Sequence, residues 1–234
     1  MLLVRRDEEI HRTEGGWFSA RWHFSFDTYH DPENMGWGPL RVFNDDRLIP
    51  GAVWPLHPHR DIEGITYVVE GTFRHEDNLG NDGILPAGSV QRMTLGSGAW
   101  HSEQNGSETE PMRFIQMWIL PDRRGLPPQV EQRVYTEADR TDRLLEVVSP
   151  EGDPAVLVHA DARVYVSRLN PQGAVEHPFK DGTRGAYLYL ISGGLDVGSE
   201  KLATGDALKV RDERSLVLRA TETSELILVD VPLD

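Results

Sequence analysis

The 234-residue sequence predicts an all-β protein built as two tandem β-barrels, and three observations carry that prediction. Most segments are short runs of β-branched and aromatic residues bounded by Gly, Pro, Asn or Asp, with little helical periodicity. The stretch Pro121-Asp122-Arg123-Arg124-Gly125-Leu126-Pro127-Pro128 lacks apolar periodicity and reads as a linker near the middle of the chain. The order of features before this linker recurs loosely after it.

In the first half, strands are expected at residues 21–26, 40–44, 64–70, 71–76, 89–95 and 112–120. Each is rich in Val, Ile, Thr, Tyr, Phe or Trp, and such close spacing favours an antiparallel sandwich or barrel. Asn78-Leu79-Gly80-Asn81-Asp82-Gly83 and Pro86-Ala87-Gly88 supply turn chemistry between them. After the linker, the charged segment 136–143 is expected to hold a short helix, because Thr136 and Asp139 have the spacing of a capping pair. Strand signals resume at 144–148, 156–158, 162–169, 186–191, 195–197, 207–210, 215–219 and 225–231. The repeat aligns Gly51, His57-Pro58-His59, Tyr67 to Gly71 and Pro86-Ala87-Gly88 with Gly173, His177-Pro178, Tyr189 to Gly193 and Thr204-Gly205-Asp206. The expected division is therefore residues 1–130 for a first barrel and 131–234 for a second.

Composition narrows the function. A formal charge of −14 repels phosphate backbones and anionic lipid, so direct nucleic-acid binding is not expected. The apolar start, Met1-Leu2-Leu3-Val4, is too short for a signal peptide, and no later run approaches the roughly 20 apolar residues of a spanning helix. The expectation is a soluble, non-membrane protein, and the absence of cysteine favours the cytoplasm. It also excludes thiolate zinc sites and iron–sulfur clusters.

Chemistry concentrates in two pairs, His57-Pro58-His59 and His101-Ser102-Glu103. Residues two apart on a strand project to the same face, so each pair can present two donors to one point. Three imidazoles and a carboxylate suit iron, manganese, nickel, copper or zinc. The second half keeps His177 alone, so the repeat equips only the first copy to hold a metal. Glu63 has the strand parity of His57 and His59, and parity alone does not choose between Glu63 and Glu103 as the carboxylate. His11, His23, His30, His75, His159 and His177 read as solvated or simply hydrogen-bonded side chains. Trp54, Trp100, Phe114 and Trp118 flank the motif strands and read as core, with an aromatic-lined pocket as the alternative.

These spacings resemble the two motifs of the cupin superfamily: Gly51, His57, His59, Glu63 and Gly71 for the first, and Gly98, His101 and Asn105 for the second. Across the first half the chain is similar to the pirin family of bicupins. The resemblance is carried by Ser25-Phe26-Asp27-Thr28-Tyr29, Met35 to Val42, His57 to Glu63, Thr66-Tyr67-Val68, Val90 to Thr94 and Gly96 to Glu103. His30, Gly64 and Asn78 depart from the usual pattern, and none is a candidate ligand. The resemblance implies a bicupin with one divalent metal in the first barrel, usually Fe(II), with Zn, Mn, Ni, Co or Cu as alternatives. By position its ligands fall on His57, His59, His101 and Glu103, which leaves Glu63 to support them from behind. It further implies a quercetin 2,3-dioxygenase-like reaction on a flavonol-like enol and O2, with Glu103 as the base. The alternative it implies is a metal-dependent regulatory protein that binds a protein partner without turnover.

Overall fold

The computed structural model describes residues 1–233. The first half supplies strands β1 (Leu2–Arg5), β2 (His11–Glu14), β3 (Phe18–Trp22), β4 (Leu40–Leu48), β5 (Val53–His59), β6 (Glu63–Glu70), β7 (Thr72–Asp77), β8 (Asp82–Pro86), β9 (Ser89–Thr94), β10 (Ala99–Asn105), β11 (Met112–Ile119) and β12 (Gln129–Val134). The second supplies β13 (Leu145–Ser149), β14 (Val156–Leu157), β15 (Arg163–Leu169), β16 (Ala174–Pro178), β17 (Arg184–Ser192), β18 (Gly194–Val197), β19 (Glu200–Ala203), β20 (Ala207–Arg211), β21 (Ser215–Ala220) and β22 (Ser224–Pro232). The one α-helix among the described residues, α1 (Glu137–Arg140), begins at Thr136 with the reciprocal Thr136–Asp139 cap that the sequence predicts.

Each half is a large sheet facing a small one. In the first barrel the large sheet runs β12-β9-β6-β11-β4-β3-β2 and the small one β5-β10-β7-β8. In the second they run β1-β20-β17-β22-β15-β13-β14 and β16-β21-β18-β19. The architecture is the all-β bicupin that the sequence predicts.

Three expectations about elements are revised. The strand expected at 21–26 is instead β3, which ends at Trp22. Beyond it the chain turns through Asp27 (φ +47°) and closes an isolated Phe26–Tyr29 bridge. The division expected at residue 130 falls inside β12, which pairs with β9 of the first barrel. Conversely, β1 leaves the first half to pair with β20 of the second.

The two large sheets pack face to face, and alternation along their strands decides what each barrel encloses. Phe43, Ile115 and Met117 meet Tyr187, Tyr189, Ile227 and Val229 in a core shared between the barrels. The second barrel's interior is closed by Leu188, Leu190, Leu208, Leu216, Leu218, Leu226 and Leu228. The first barrel has a smaller apolar plug around Val68, Phe73 and Phe114. Above that plug its inward positions turn polar, with Asn44, Thr66 and Gln116 in one cross-strand row.

Candidate metal centre

The imidazoles are brought together by the pairing of β5 with β10, in which His101 lies opposite His57 and Ala99 opposite His59. A bulge interrupts this ladder, so Glu103 lies opposite Trp54. The extra residue is on β5, where Pro55 and Leu56 both face outward while Trp54 and His57 turn inward. Proline has no N–H to give to a ladder, which makes it a suitable bulge residue. The Pro55 carbonyl lies 2.7 Å from His57 Nδ1. A carbonyl only accepts, so His57 donates through Nδ1 and keeps the Nε2 lone pair for another partner.

One donor atom from each of His57, His59 and His101 falls within 4.8 Å of the others. The rings are 4.5 Å (His57–His101), 4.8 Å (His57–His59) and 5.3 Å (His59–His101) apart between centroids. His101 is only 4% exposed, yet neither of its ring nitrogens has a hydrogen-bond partner. Leaving a buried polar group unpaired costs about 1–3 kcal/mol. Burial, reinforced by His57, His59 and His75, pushes the His101 pKa down to about 2. Burial and then His57 lower that of His59 to about 4. His59 and His101 are therefore neutral lone-pair donors at neutral pH, and the cluster fits a divalent metal ion.

Glu103, on β10 two residues beyond His101, is 6% exposed and lines the same cavity as His57 and His59, but it stands outside the group of donor atoms that close to within 4.8 Å. Desolvation pushes its carboxyl up to about 7. Nearby Asp46, wholly enclosed, is raised well above the ordinary carboxyl range by burial and then by the Glu103 charge. Glu63 lies elsewhere. The chain turns at Asp61 (φ +54°) between β5 and β6, so the parity shared with the histidines does not carry across. Glu63 instead accepts from Thr94 Oγ1 at 3.1 Å and approaches His159 Nδ1 at 3.4 Å and Arg92 Nε at 3.9 Å.

The cavity holds about 420 Å³ and is walled by Phe18, Trp22, Phe26, Trp54 and Trp118. Trp118 packs its ring 4.5 Å from that of His59. Of the aromatics marked in the sequence, Trp54 and Trp118 thus line the cavity, Phe114 is core, and Trp100 points outward. Sequence reasoning missed Asn44 and Gln116, which line the floor. Their signal was a polar residue in step with apolar ones two positions away, Val42 before Asn44 and Phe114 and Trp118 on either side of Gln116.

Three histidines read as ordinary are buried. His23 pairs with the Tyr187 hydroxyl at 2.7 Å, His75 sits between Asp77 and Gln91, and His177 binds Asp230 at 2.7 Å. In the second barrel His177 faces Leu216, where His57 faces His101. Arg184 completes the His177–Asp230 network through Nε at 2.7 Å.

Two barrels of this topology, with an imidazole cluster in the mouth of the first, define a bicupin. The chain belongs to the pirin family: the Pirin family model matches residues 4–119, and that of the quercetinase C-terminal cupin domain matches residues 146–231. A quercetin 2,3-dioxygenase of Escherichia coli K12 is 36% identical, covering 99% of each chain. A pirin-like protein of Caulobacter vibrioides is 38% identical over 95% of this chain and 96% of its own. Among solved structures, the Escherichia coli bacterial pirin YhhW in complex with nickel(II) superposes with a TM-score of 0.94 at 35% identity, covering 100% of both chains.

Proposed function

We propose that the protein is a metal-dependent dioxygenase of the quercetinase type, acting on a flavonol-like enol with O2. The observation that carries this reading is the buried, unpartnered His101 within a three-imidazole cluster that opens onto an aromatic-walled cavity. His57, His59, His101 and Glu103 are the proposed ligands, and Fe(II) is the proposed ion. When bound, the ion supplies Lewis acidity at the substrate's enol oxygen and redox chemistry toward O2.

The protein's own residues account for the rest. The aromatic walls sandwich a flat ring system and exclude water from it. A carboxylate oxygen of Glu103 accepts the proton of the substrate's enolic hydroxyl, a task suited to a group titrating near neutrality. His57, fixed by the Pro55 carbonyl, holds its donor nitrogen toward the cluster. O2 is the oxidant, and the central ring opens with release of one carbon as CO. The similarity to quercetin 2,3-dioxygenase of Escherichia coli supports this substrate class.

The test is O2 uptake and CO release by iron- or nickel-loaded protein supplied with quercetin. Uptake and CO in matching amounts are expected. Absence of turnover with Fe, Ni, Co, Mn, Cu and Zn in turn would overturn the enzyme reading and leave a metal-dependent interaction protein.

A further inference from the structure

The floor of the cavity contains polar groups that the proposed chemistry does not use. Asn44 on β4 and Gln116 on β11 are directly opposed across the large sheet, 3% and 8% exposed, and both line the cavity. Gln116 accepts from Thr66 Oγ1 at 2.7 Å, whereas the buried Asn44 Oδ1 has no partner. The indole N–H of Trp22, also lining the cavity, has no acceptor. An apolar residue would fill the Asn44 position without leaving an amide unpaired.

Their placement gives these groups a direction. The histidines and Glu103 belong to the small sheet, and the amides belong to the large sheet facing it. Gln116 lies one strand step, about 7 Å, below the Trp118 ring that packs on His59. One further step down, Phe114 seals the barrel. A ligand spanning the cavity with its enol oxygens at the imidazoles therefore sets its other edge against Asn44 and Gln116.

We propose that Asn44 and Gln116 determine specificity by reading a hydroxyl on the part of the substrate turned away from the imidazoles. This selects hydroxylated planar polyphenols over unsubstituted ones. The inference rests on the flavonol reading above and adds the residues that choose among flavonols.

The probes are quercetin and 3-hydroxyflavone, which share the 3-hydroxy-4-keto edge and differ in the hydroxyls of their outer rings. Binding to nickel-loaded protein is followed anaerobically by quenching of tryptophan fluorescence, so turnover is not required. Wild-type protein is expected to prefer quercetin, and Asn44→Leu and Gln116→Leu are each expected to cut that preference about tenfold with metal content unchanged. An unchanged ratio of affinities in both variants overturns the proposal. A ligand-free measurement stands beside it: relief of the unpaired amide in Asn44→Leu is expected to raise Tm by on the order of 3 °C. A fall in Tm assigns the amide a structural role and overturns the proposal. If wild-type protein binds neither flavonol, the substrate reading fails, while a raised Tm still marks Asn44 as a ligand-directed group.

Discussion

His101 combines two properties that a stable interior does not ordinarily tolerate together: it is buried, and both its nitrogens lack partners. The metal-free protein therefore carries a local cost that an ion would relieve. His101→Leu is expected to stabilise metal-free protein by about 1–2 kcal/mol while abolishing stoichiometric metal uptake. Chemical denaturation and metal analysis of the same preparation read both effects, and a His101→Leu protein that still takes up one equivalent would remove the imidazole from the ligand set. Glu103 divides differently, because its neutral isostere keeps the shape and loses the base. Glu103→Gln is expected to lower quercetin turnover about 100-fold or more with metal still bound. Full turnover in a metal-loaded Glu103→Gln would rule out the proton-accepting role.

The bulge on β5 is the element that sets this geometry. Trp54 and His57 both face inward although they are three residues apart, and the outward pair between them frees the Pro55 carbonyl to hold His57. Deleting Leu56 restores plain alternation, keeps His57 and Trp54 inward, and removes that hold. Metal affinity is then expected to fall about 10- to 100-fold, read by competition with a chelator, and an unchanged affinity would deny the carbonyl any role. The same element shows how far the site was legible in sequence. The His-x-His and His-x-Glu spacings encode period-2 parity, which holds within one strand and allowed His57, His59 and His101 to be grouped before any coordinates. Parity fails across a turn, so Glu63, on β6 beyond the turn at Asp61, was misplaced among the supporting groups. The Thr136–Asp139 cap is equally local and was equally legible. β1 and β12 were not, because their hydrogen-bond partners lie far along the chain and neither carries a strong β signature of its own. Asn44 and Gln116 escaped for a related reason: each shares its strand with other polar residues, Asp45 and Asp46 on β4 and Arg113 on β11, and only the cross-strand register reveals the two amides as a pair.

At the scale of the whole molecule, the shared core makes the two barrels interdependent, and polar groups are buried within that joint. Arg113 grips Asp45 through paired contacts of 2.8 and 2.7 Å, and the Tyr189 hydroxyl reaches the same carboxylate from the other barrel at 2.6 Å. His23 lies beside them, paired with Tyr187 and fully enclosed. Burial first, and then the nearby Arg5 charge, lowers the His23 pKa from 6.5 to about 3, with Asp45 opposing and Arg21 adding to the shift. Between those two values the unfolded chain binds a proton at this position and the folded chain does not. The stability contributed by neutral His23 is thus complete above the unfolded value and is lost as pH falls toward the folded one. At about 1.4 kcal/mol per pH unit, the loss reaches roughly 3 kcal/mol by pH 4.5, an order-of-magnitude figure. His23→Gln removes the titration while leaving a polar group for Tyr187. The variant is expected to be less stable than wild type at pH 7.5 and to lose less on acidification, so that the two denaturation midpoints converge near pH 4.5. Parallel pH profiles for the two proteins would show that the joint between the barrels does not sense this proton.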